Sequence, residues 1–512
     1  MYIGGKKDLN LLDQYTIETL GLPGTVLMEN AGTAVASTLL EHYEDVEGKI
    51  LVLAGAGNNG GDGFVIARKL SDHGLNVELC LLVSESKIKG DALVHYNVYR
   101  KRQLPFLQLT EENLNELRKK INHSTIIVDA MLGTGSYGNL REPYRSVIQM
   151  VNQSTAFVLS VDIPSGLQAD DGHVEEFAIK ADQTVTFVLP KVGFFLQEGP
   201  NYVGDWKVVN ISVPTTLVKQ LNLSLPKLIT SADVFAQMPK RPANGHKGTF
   251  GHGLVIGGSK QYVGAPIYSA KAAFHTGIGL ITLAVPECNY PLSAVQLPES
   301  LFLPLNEQNG HLSSTALNEM ELSKYKAIAF GPGIGRFDDG EALVRGLFNE
   351  LDGQPVIIDA DGLYFLKNQM QLVKDYEGPV IITPHPGEMA TLLDTTVKNV
   401  ETNRLAIAKQ LAEKYNVYVL LKGHRSIIAT PEGNTWINPF GHDALGKGGS
   451  GDVLTGVILS LLCQGANAEQ ALVCATFLHA RAAELQAEDL SHYGVTPNDI
   501  IEGMPQILNK LF

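Results

Sequence analysis

The residues best placed to do chemistry stand in Gly448-Gly449-Ser450-Gly451-Asp452-Val453-Leu454-Thr455-Gly456, which packs glycines, an acid and a helix start into one turn. Glycines let a backbone approach a ligand closely, and the apolar run Val453 to Leu462 predicts a helix whose unpaired N-terminal amides would face an anion. A carboxylate at an anion site repels the anion unless it acts on it, and the usual act is to take a proton from a hydroxyl in reach. Capping of the helix is the plain alternative for Asp452. Three glycines within four residues favour chemistry.

A second set of chemical groups lies in the first half. Gly55-Ala56-Gly57-Asn58-Asn59-Gly60 follows the predicted strand Lys49 to Ala54 and formally matches the dinucleotide fingerprint G-x-G-x-x-G. The acid expected at the end of the next strand is missing, because Glu78 lies near the beginning of Asn76 to Val83. Asn58, Asn59 and Asp62 instead offer side-chain oxygens that suit a hard cation better than a pyrophosphate. Thr125 to Val128 runs into Asp129, and Ala156 to Val161 runs into Asp162-Ile163-Pro164-Ser165. Ligands of an open parallel sheet bind beyond the strand C-terminal ends, so these groups are expected to converge on one crevice. Each acid taken singly reads as a cap; the repeat of the pattern at three strand ends argues for a site.

The second half repeats the design with other residues. Predicted strands lead to Gly331-Pro332-Gly333-Ile334-Gly335, Asp359-Ala360-Asp361, Thr383-Pro384-His385-Pro386-Gly387-Glu388 and Lys422-Gly423-His424. The two prolines fix the backbone around His385, which points to a ligand, while Lys422 suits a phosphate or plain solvent equally. Gly441 to Gly448 nearly spells a P-loop, but it ends in glycine where magnesium binding needs Ser or Thr.

The elements that must position these groups are α/β throughout. A helical preface (Leu9 to Leu20, Pro23 to His42) precedes a strand, a loop over Gly55 to Gly61 and a helix from Asp62 to His73. Prolines 214, 226, 239 and 242 punctuate a weakly periodic stretch, after which the alternation restarts. A chain of 512 residues exceeds one ordinary core, so two domains are expected: 1–213 and 228–512, with 214–227 as linker. Hydrophobic residues at 44% and charged residues at 18% describe a soluble globular chain, and a formal charge of −14 excludes a nucleic-acid partner. No apolar run reaches membrane-spanning length and no signal peptide is legible, which predicts a cytoplasmic protein free of membranes. Cys80, Cys288, Cys463 and Cys474 show no metal spacing and are expected as buried reduced thiols.

Asn58 to Gly63, Val128 to Gly135 and Val161 to Gly166 resemble the NAD(P)H-hydrate epimerase domain of the YjeF N-terminal family, with a Rossmann-like sheet sandwich. The resemblance implies that Asn59, Asp129 and Ser165 hold a potassium ion. It also implies that Asn58, Asn59, Gly60, Gly61 and Asp62, with Gly133, Thr134, Gly135, Ser136, Tyr137, Gly138 and Asn139, line the hydrate site. Asp162 would face the substrate as acid or base. Residues 228 to 512 resemble the ribokinase-like superfamily and, through Arg241, His246-Lys247-Gly248, Gly331 to Gly335, Thr383 to Glu388 and Gly448 to Gly456, the NAD(P)H-hydrate dehydratase family. That likeness implies that Lys422, Gly423, His424, Arg425, Ser426 and Gly451 bind ADP or ATP with Mg2+, and that Ala265, Gly333, His385 and Asp452 face the hydrate. His442-Asp443-Ala444 departs from the Asn-Pro/Ala-Gly that relatives more often carry. The implied activity is repair of hydrated NADH and NADPH: epimerisation of the R and S forms, and nucleotide-dependent dehydration of the S form. A homo-oligomer is expected. The alternative is a ribokinase-like small-molecule kinase carrying an N-terminal assembly module.

Overall fold

The computed structural model describes residues 1–42, 48–135, 138–318 and 320–512. Two units emerge: Tyr2–Pro226, and Met1 with Lys227–Phe512. Residues 214–226, expected as linker, pack with the first unit, where Leu217 and Val218 are 2% and 1% exposed. Lys227–Leu228 already forms a strand of the second. Apolar leucines and valines between the prolines decide this, since leaving them in a linker would expose them to water.

The first unit holds strands β1 (Lys49–Ala54), β2 (Asn76–Leu81), β3 (Phe106–Gln108), β4 (Ile126–Ala130), β5 (Phe157–Val161), β6 (Gln183–Phe187) and β7 (Asp205–Val209). They form one parallel sheet in the order β3-β2-β1-β4-β5-β6-β7. Both faces are covered, as the near-continuous apolar strands require. Ile50, Val52 and Ala54 enter one core with Ile126 and Val128, while Leu51, Leu53 and Ile127 enter another. The strand period of 2 thus serves two helical layers at once. The chain turns from β1 toward β2 and β3, then crosses back to β4 beside β1. The loops after β1 and β4 therefore part at a switch point, where an open sheet leaves a crevice.

The second unit comprises β8 (Lys227–Leu228), β9 (His252–Ile256), β10 (Leu280–Pro286), β11 (Leu301–Leu305), β12 (Glu307–Gln308), β13 (His311–Leu312), β14 (Ala327–Phe330), β15 (Val356–Ile358), β16 (Val380–Ile382), β17 (Tyr418–Leu421), β18 (Ile427–Ala429) and β19 (Thr435–Ile437). Its main sheet runs β11-β10-β9-β14-β15-β16-β17-β18-β19-β8, with β12 and β13 as a separate hairpin. The pairings are parallel from β11 to β17, antiparallel through β18 and β19, and parallel again to β8. A second switch point falls between β9 and β14.

Helix Ser450–Cys463 carries the glycine turn at its start, and Val453, Val457, Ile458, Leu459 and Leu461 on it are fully buried. Gly456 lets it cross helix Gly264–His275 closely: a Cβ there would lie 2.0 Å from the Ser269 carbonyl oxygen. Among the described residues no helix is long and apolar enough to cross a membrane. All four cysteines are free thiols, but Cys288 is exposed, contrary to the sequence expectation, because a short 3₁₀ turn (Glu287–Asn289) lifts it out of the sheet.

Candidate active sites

In the first unit the helix expected to begin at Asp62 begins at Asn58 instead. Close packing explains both the early start and its glycines. A Cβ on Gly60 would lie 2.0 Å from the Gly55 carbonyl oxygen, and one on Gly61 would lie 2.4 Å from Met28 Sδ. Gly60 and Gly61 thus lie under the site and do not line it. Asn58, Asn59, Asp62, Gly133, Thr134 and Gly135 do line it, around a cavity of about 710 Å³ that also takes in Asp162 and Asp13. Gly138 and Asn139 are exposed and stand apart from that lining, and Ser136 and Tyr137 lie outside the described residues.

Asp129 and Ser165 sit behind the cavity wall, fully buried. Ser165 donates to Asp129 through Oγ at 2.5 Å and through its backbone N–H at 2.8 Å, and Ser160 Oγ donates at 2.9 Å. Burial raises the Asp129 carboxyl in spite of these donors. Asn59 Nδ2 and Ser165 Oγ both donate to the Leu132 carbonyl, at 3.0 and 3.3 Å. Asn59 and Ser165 therefore meet at one carbonyl, and Asp129 joins them through Ser165. Asn59 Oδ1 is buried with no hydrogen-bond partner among the described residues. A buried orphan acceptor beside a hydroxyl and a carboxylate is the donor set of an oxygen-liganded cation.

Asp162 has the left-handed backbone φ of 65°. Its Oδ1 accepts from Phe187 N–H at 3.0 Å, from Thr186 Oγ1 at 3.3 Å and from the Lys191 ammonium. Lys191 is 1% exposed and also donates to Thr186 Oγ1 at 2.8 Å. Asp13 and Asp62 line the same cavity. Burial and the Asp162 charge push Asp13 up to about 6, and burial with the Asp162 and Asp13 charges raises Asp62 well above the usual range. Asp13 and Lys191 are not among the candidates that the sequence offers. Lys191 was detectable as a lysine four residues beyond the buried end of β6, whereas Asp13 sits in a surface-type helical pattern with nothing to mark it.

In the second unit Gly449 takes φ 98° and Asp452 falls in the first turn of its helix. Asp359, at the end of β15, is the hub. Its Oδ1 accepts from Lys422 Nζ at 2.8 Å and its Oδ2 from Thr455 Oγ1 at 2.6 Å. Burial alone would raise the Asp359 carboxyl, but the Lys422 ammonium and the Thr455 hydroxyl hold it below the ordinary range. Burial would likewise lower Lys422, but Asp359, Glu388 and Asp452 hold it above. Asp452 goes the other way: burial and the Asp359 charge push it up to about 7, against the pull of Lys422.

The other expected residues close around this group. Ser269 Oγ bridges the carbonyls of Asp452 (2.8 Å) and Ala265 (3.4 Å). Gly333 has φ 66°, and a Cβ there would come within 2.9 Å of the Ala265 Cβ. His385 caps helix Pro386–Leu393, with Nδ1 accepting from Gly387 N–H at 3.0 Å, and Glu388 lies 3.8 Å from Lys422. A Cβ on Gly451 would lie 3.5 Å from Lys422 Nζ, so the glycine turn and the lysine share one space. Gly423 has φ 157°, and Ser426 Oγ closes the loop onto its carbonyl at 3.3 Å. Arg404, which the sequence did not mark, ties that loop from behind by donating to the carbonyls of Leu421, Lys422 and Arg425 at 3.4, 3.3 and 3.0 Å.

Residues 24–193 match the family described as YjeF-related protein N-terminus, and residues 253–506 match that of NAD(P)H-hydrate dehydratase. The bifunctional NAD(P)H-hydrate repair enzyme of Moorella thermoacetica is 36% identical across 100% of this chain and 97% of its own. This chain belongs to the bifunctional NAD(P)H-hydrate repair enzymes. The relative from Thermofilum pendens, 35% identical, gives the same coverage. Among solved structures, the ADP/ATP-dependent NAD(P)H-hydrate dehydratase of Bacillus subtilis, co-crystallised with ATP/Mg2+, is 32% identical, with a TM-score of 0.50 over 56% of this chain and 99% of that one. The expected ribokinase-like second unit is thereby found. A repair enzyme of this family must hold both an epimerase and a dehydratase, and the two sites described above fall one in each matched region.

Proposed function

We propose that the Asp162 cavity interconverts the R and S forms of NAD(P)H hydrate, and that the Asp452 cleft dehydrates the S form at the expense of ADP or ATP. The observation that carries this is the array of Lys422, Asp359 and Thr455 beside a carboxyl raised to about 7 at a helix N-terminus. A base with that pKa is poised for proton transfer near neutrality.

In the cleft, Asp452 takes the proton of the C6 hydroxyl as that oxygen attacks the terminal phosphorus of the Mg2+-bound nucleotide. AMP leaves from ADP, or ADP from ATP. The C6–O bond then breaks, with phosphate carrying its electrons away, pushed by the ring nitrogen. Loss of a proton from the neighbouring carbon restores the dihydropyridine. The Gly449–Gly451 amides and Lys422 meet the phosphate charge, and Lys422 stays protonated because Asp359 neutralises it in a buried place. Ala265, Gly333 and His385 form the hydrate wall, while Gly423, His424, Arg425 and Ser426 supply the nucleotide loop.

In the cavity, Lys191, Thr186 and the Phe187 amide converge on Oδ1 of Asp162, so Oδ2 is the oxygen offered to substrate. Asn59 and Ser165, backed by the Asp129 charge, are the residues that would hold a potassium ion, and the orphan Asn59 Oδ1 supports that fit. When bound, the ion supplies positive charge beside the hydrate. Nicotinamide cofactors and nucleotides work in the cytoplasm, which is where this activity belongs.

The test is a mixture of R and S NADH hydrate with the full chain, K+, Mg2+ and ADP or ATP, followed by nicotinamide absorbance. Wild type should run to completion. Asp162→Asn should consume the S share quickly and then slow to spontaneous epimerisation. A mutant curve that matches wild type where epimerisation is limiting would show Asp162 to be structural.

A further inference from the structure

His442 and Asp443 stand at the departure from the family pattern, and the chemistry above uses neither. The structure brings His492 to them, 49 residues on from Asp443. It does so through a break in helix Ala468–Gly494, where Ser491 adopts φ 63° and ψ 164°. His442 Nδ1 and His492 Nδ1 lie 3.0 and 2.9 Å from the same oxygen, Oδ1 of Asp443.

His442 Nδ1 also accepts the Ala444 N–H at 3.1 Å. That nitrogen has either one lone pair or one proton. If it accepts from Ala444, it turns a lone pair toward a carboxylate oxygen; if it donates to Asp443, the Ala444 N–H loses its acceptor. A cation between the two acceptors resolves the conflict at the loss of one backbone hydrogen bond.

We propose that His442, Asp443 and His492 bind a Zn2+ ion. One ligand atom from each lies within 4.8 Å of the others. Donors on a tetrahedral zinc, at about 2.0–2.2 Å from the metal, stand roughly 3.3 Å apart, so small side-chain movements suffice. Two imidazoles and one carboxylate select zinc over magnesium or calcium, which take oxygen donors. Side chains 18%, 71% and 63% exposed leave the fourth position to water and make the ion exchangeable. The consequence is positional. Lys447 already donates to the Tyr493 carbonyl at 2.6 Å and to that of Val495, holding the loop before the Asp452 turn against this same segment. Zinc adds a second staple four residues earlier, ahead of Gly449 and Asp452.

The test titrates the nucleotide-free full chain with Zn2+ by calorimetry and with Co2+ by visible absorption, for wild type, His492→Ala and His442→Asn. His492 is 63% exposed, and an Asn side-chain oxygen at 442 can accept the Ala444 N–H in place of the imidazole, so both variants should fold. Wild type should bind one equivalent that each variant binds on the order of tenfold or more weakly, with loss of the tetrahedral Co2+ bands. Zn2+ should raise the melting temperature of wild type and not of the variants. With Mg2+ supplied and zinc removed, dehydratase activity should be the same in all three. Equal uptake by wild type and both variants, or no uptake by wild type, would overturn the proposal.

Discussion

Lys422 Nζ lies 2.8 Å from Asp359 Oδ1, and this largely buried ion pair is the joint between the loop after β17 and the end of β15. Its other oxygen takes Thr455, one helical turn beyond Asp452, so three segments distant in sequence share one carboxylate. Removing Asp359 leaves the Lys422 ammonium, largely out of solvent, with only Glu388 at 3.8 Å and the Asp452 charge to face it. We predict that Asp359→Ala destabilises the second unit by about 3–5 kcal/mol, read as a lower denaturant midpoint of its unfolding transition. A change under about 1 kcal/mol would mean that solvent already reaches the pair.

Asp452→Asn should cut dehydration on the order of 10²-fold or more while leaving nucleotide binding largely intact. Turnover within a few-fold of wild type would remove Asp452 from the role of base.

The pH dependence of wild type follows from the same carboxyl. Asp452 must be ionised to accept a proton, and burial holds it at about 7, so kcat/KM for S hydrate should fall as pH drops through that value. An acid limb near the ordinary carboxylate range would point to a different base. Stability runs the opposite way: the native state keeps the Asp452 proton that the unfolded chain releases near 3.8, so stability is lost as pH rises from about 4 to about 7. Asn carries no such cost. Asp452→Asn should therefore melt higher than wild type at pH 8, by at most about 4 kcal/mol for this gap of roughly 3 pKa units, and the advantage should vanish near pH 4.

Lys191→Met should abolish the epimerase and spare the dehydratase. The ammonium positions Asp162 Oδ1, and no other cation is within hydrogen-bonding reach of that oxygen among the described residues. With R hydrate as sole substrate, repair should slow at least tenfold, on the scale of a lost positioned acid or base. With S hydrate it should be unchanged. Equal slowing of both forms would indicate a folding defect.

Asn59→Ala should remove the dependence of epimerisation on K+. Wild type should turn over faster in K+ than in Li+, whose small radius suits a wide oxygen cage poorly, and the mutant should be slow in both. A wild-type rate indifferent to the cation would show that Asn59 Oδ1 is satisfied by water.

Local signals determined much of this protein. Buried strands ending in polar or glycine-rich turns are legible because strand burial and backbone φ are written in short runs, and Asp162, Asp452, Asn59 and Lys422 stand out as candidates that way. Two-unit organisation was equally legible, though its boundary was not. Leu217 and Val218 look like linker residues until a core exists for them to enter. What only the tertiary structure decided is which residues meet. The Asn58–Gly61 stretch reads as loop because glycine disfavours helix, yet the approach of Gly55 and Met28 makes those glycines the only residues that fit a helical first turn. Lys191 left only a faint mark in the sequence, and Asp13, Arg404 and the Asp359–Thr455 bond left none. Their roles rest on desolvation and on pairing across long sequence separations, such as the 96 residues between Asp359 and Thr455, and both exist only once the chain has folded.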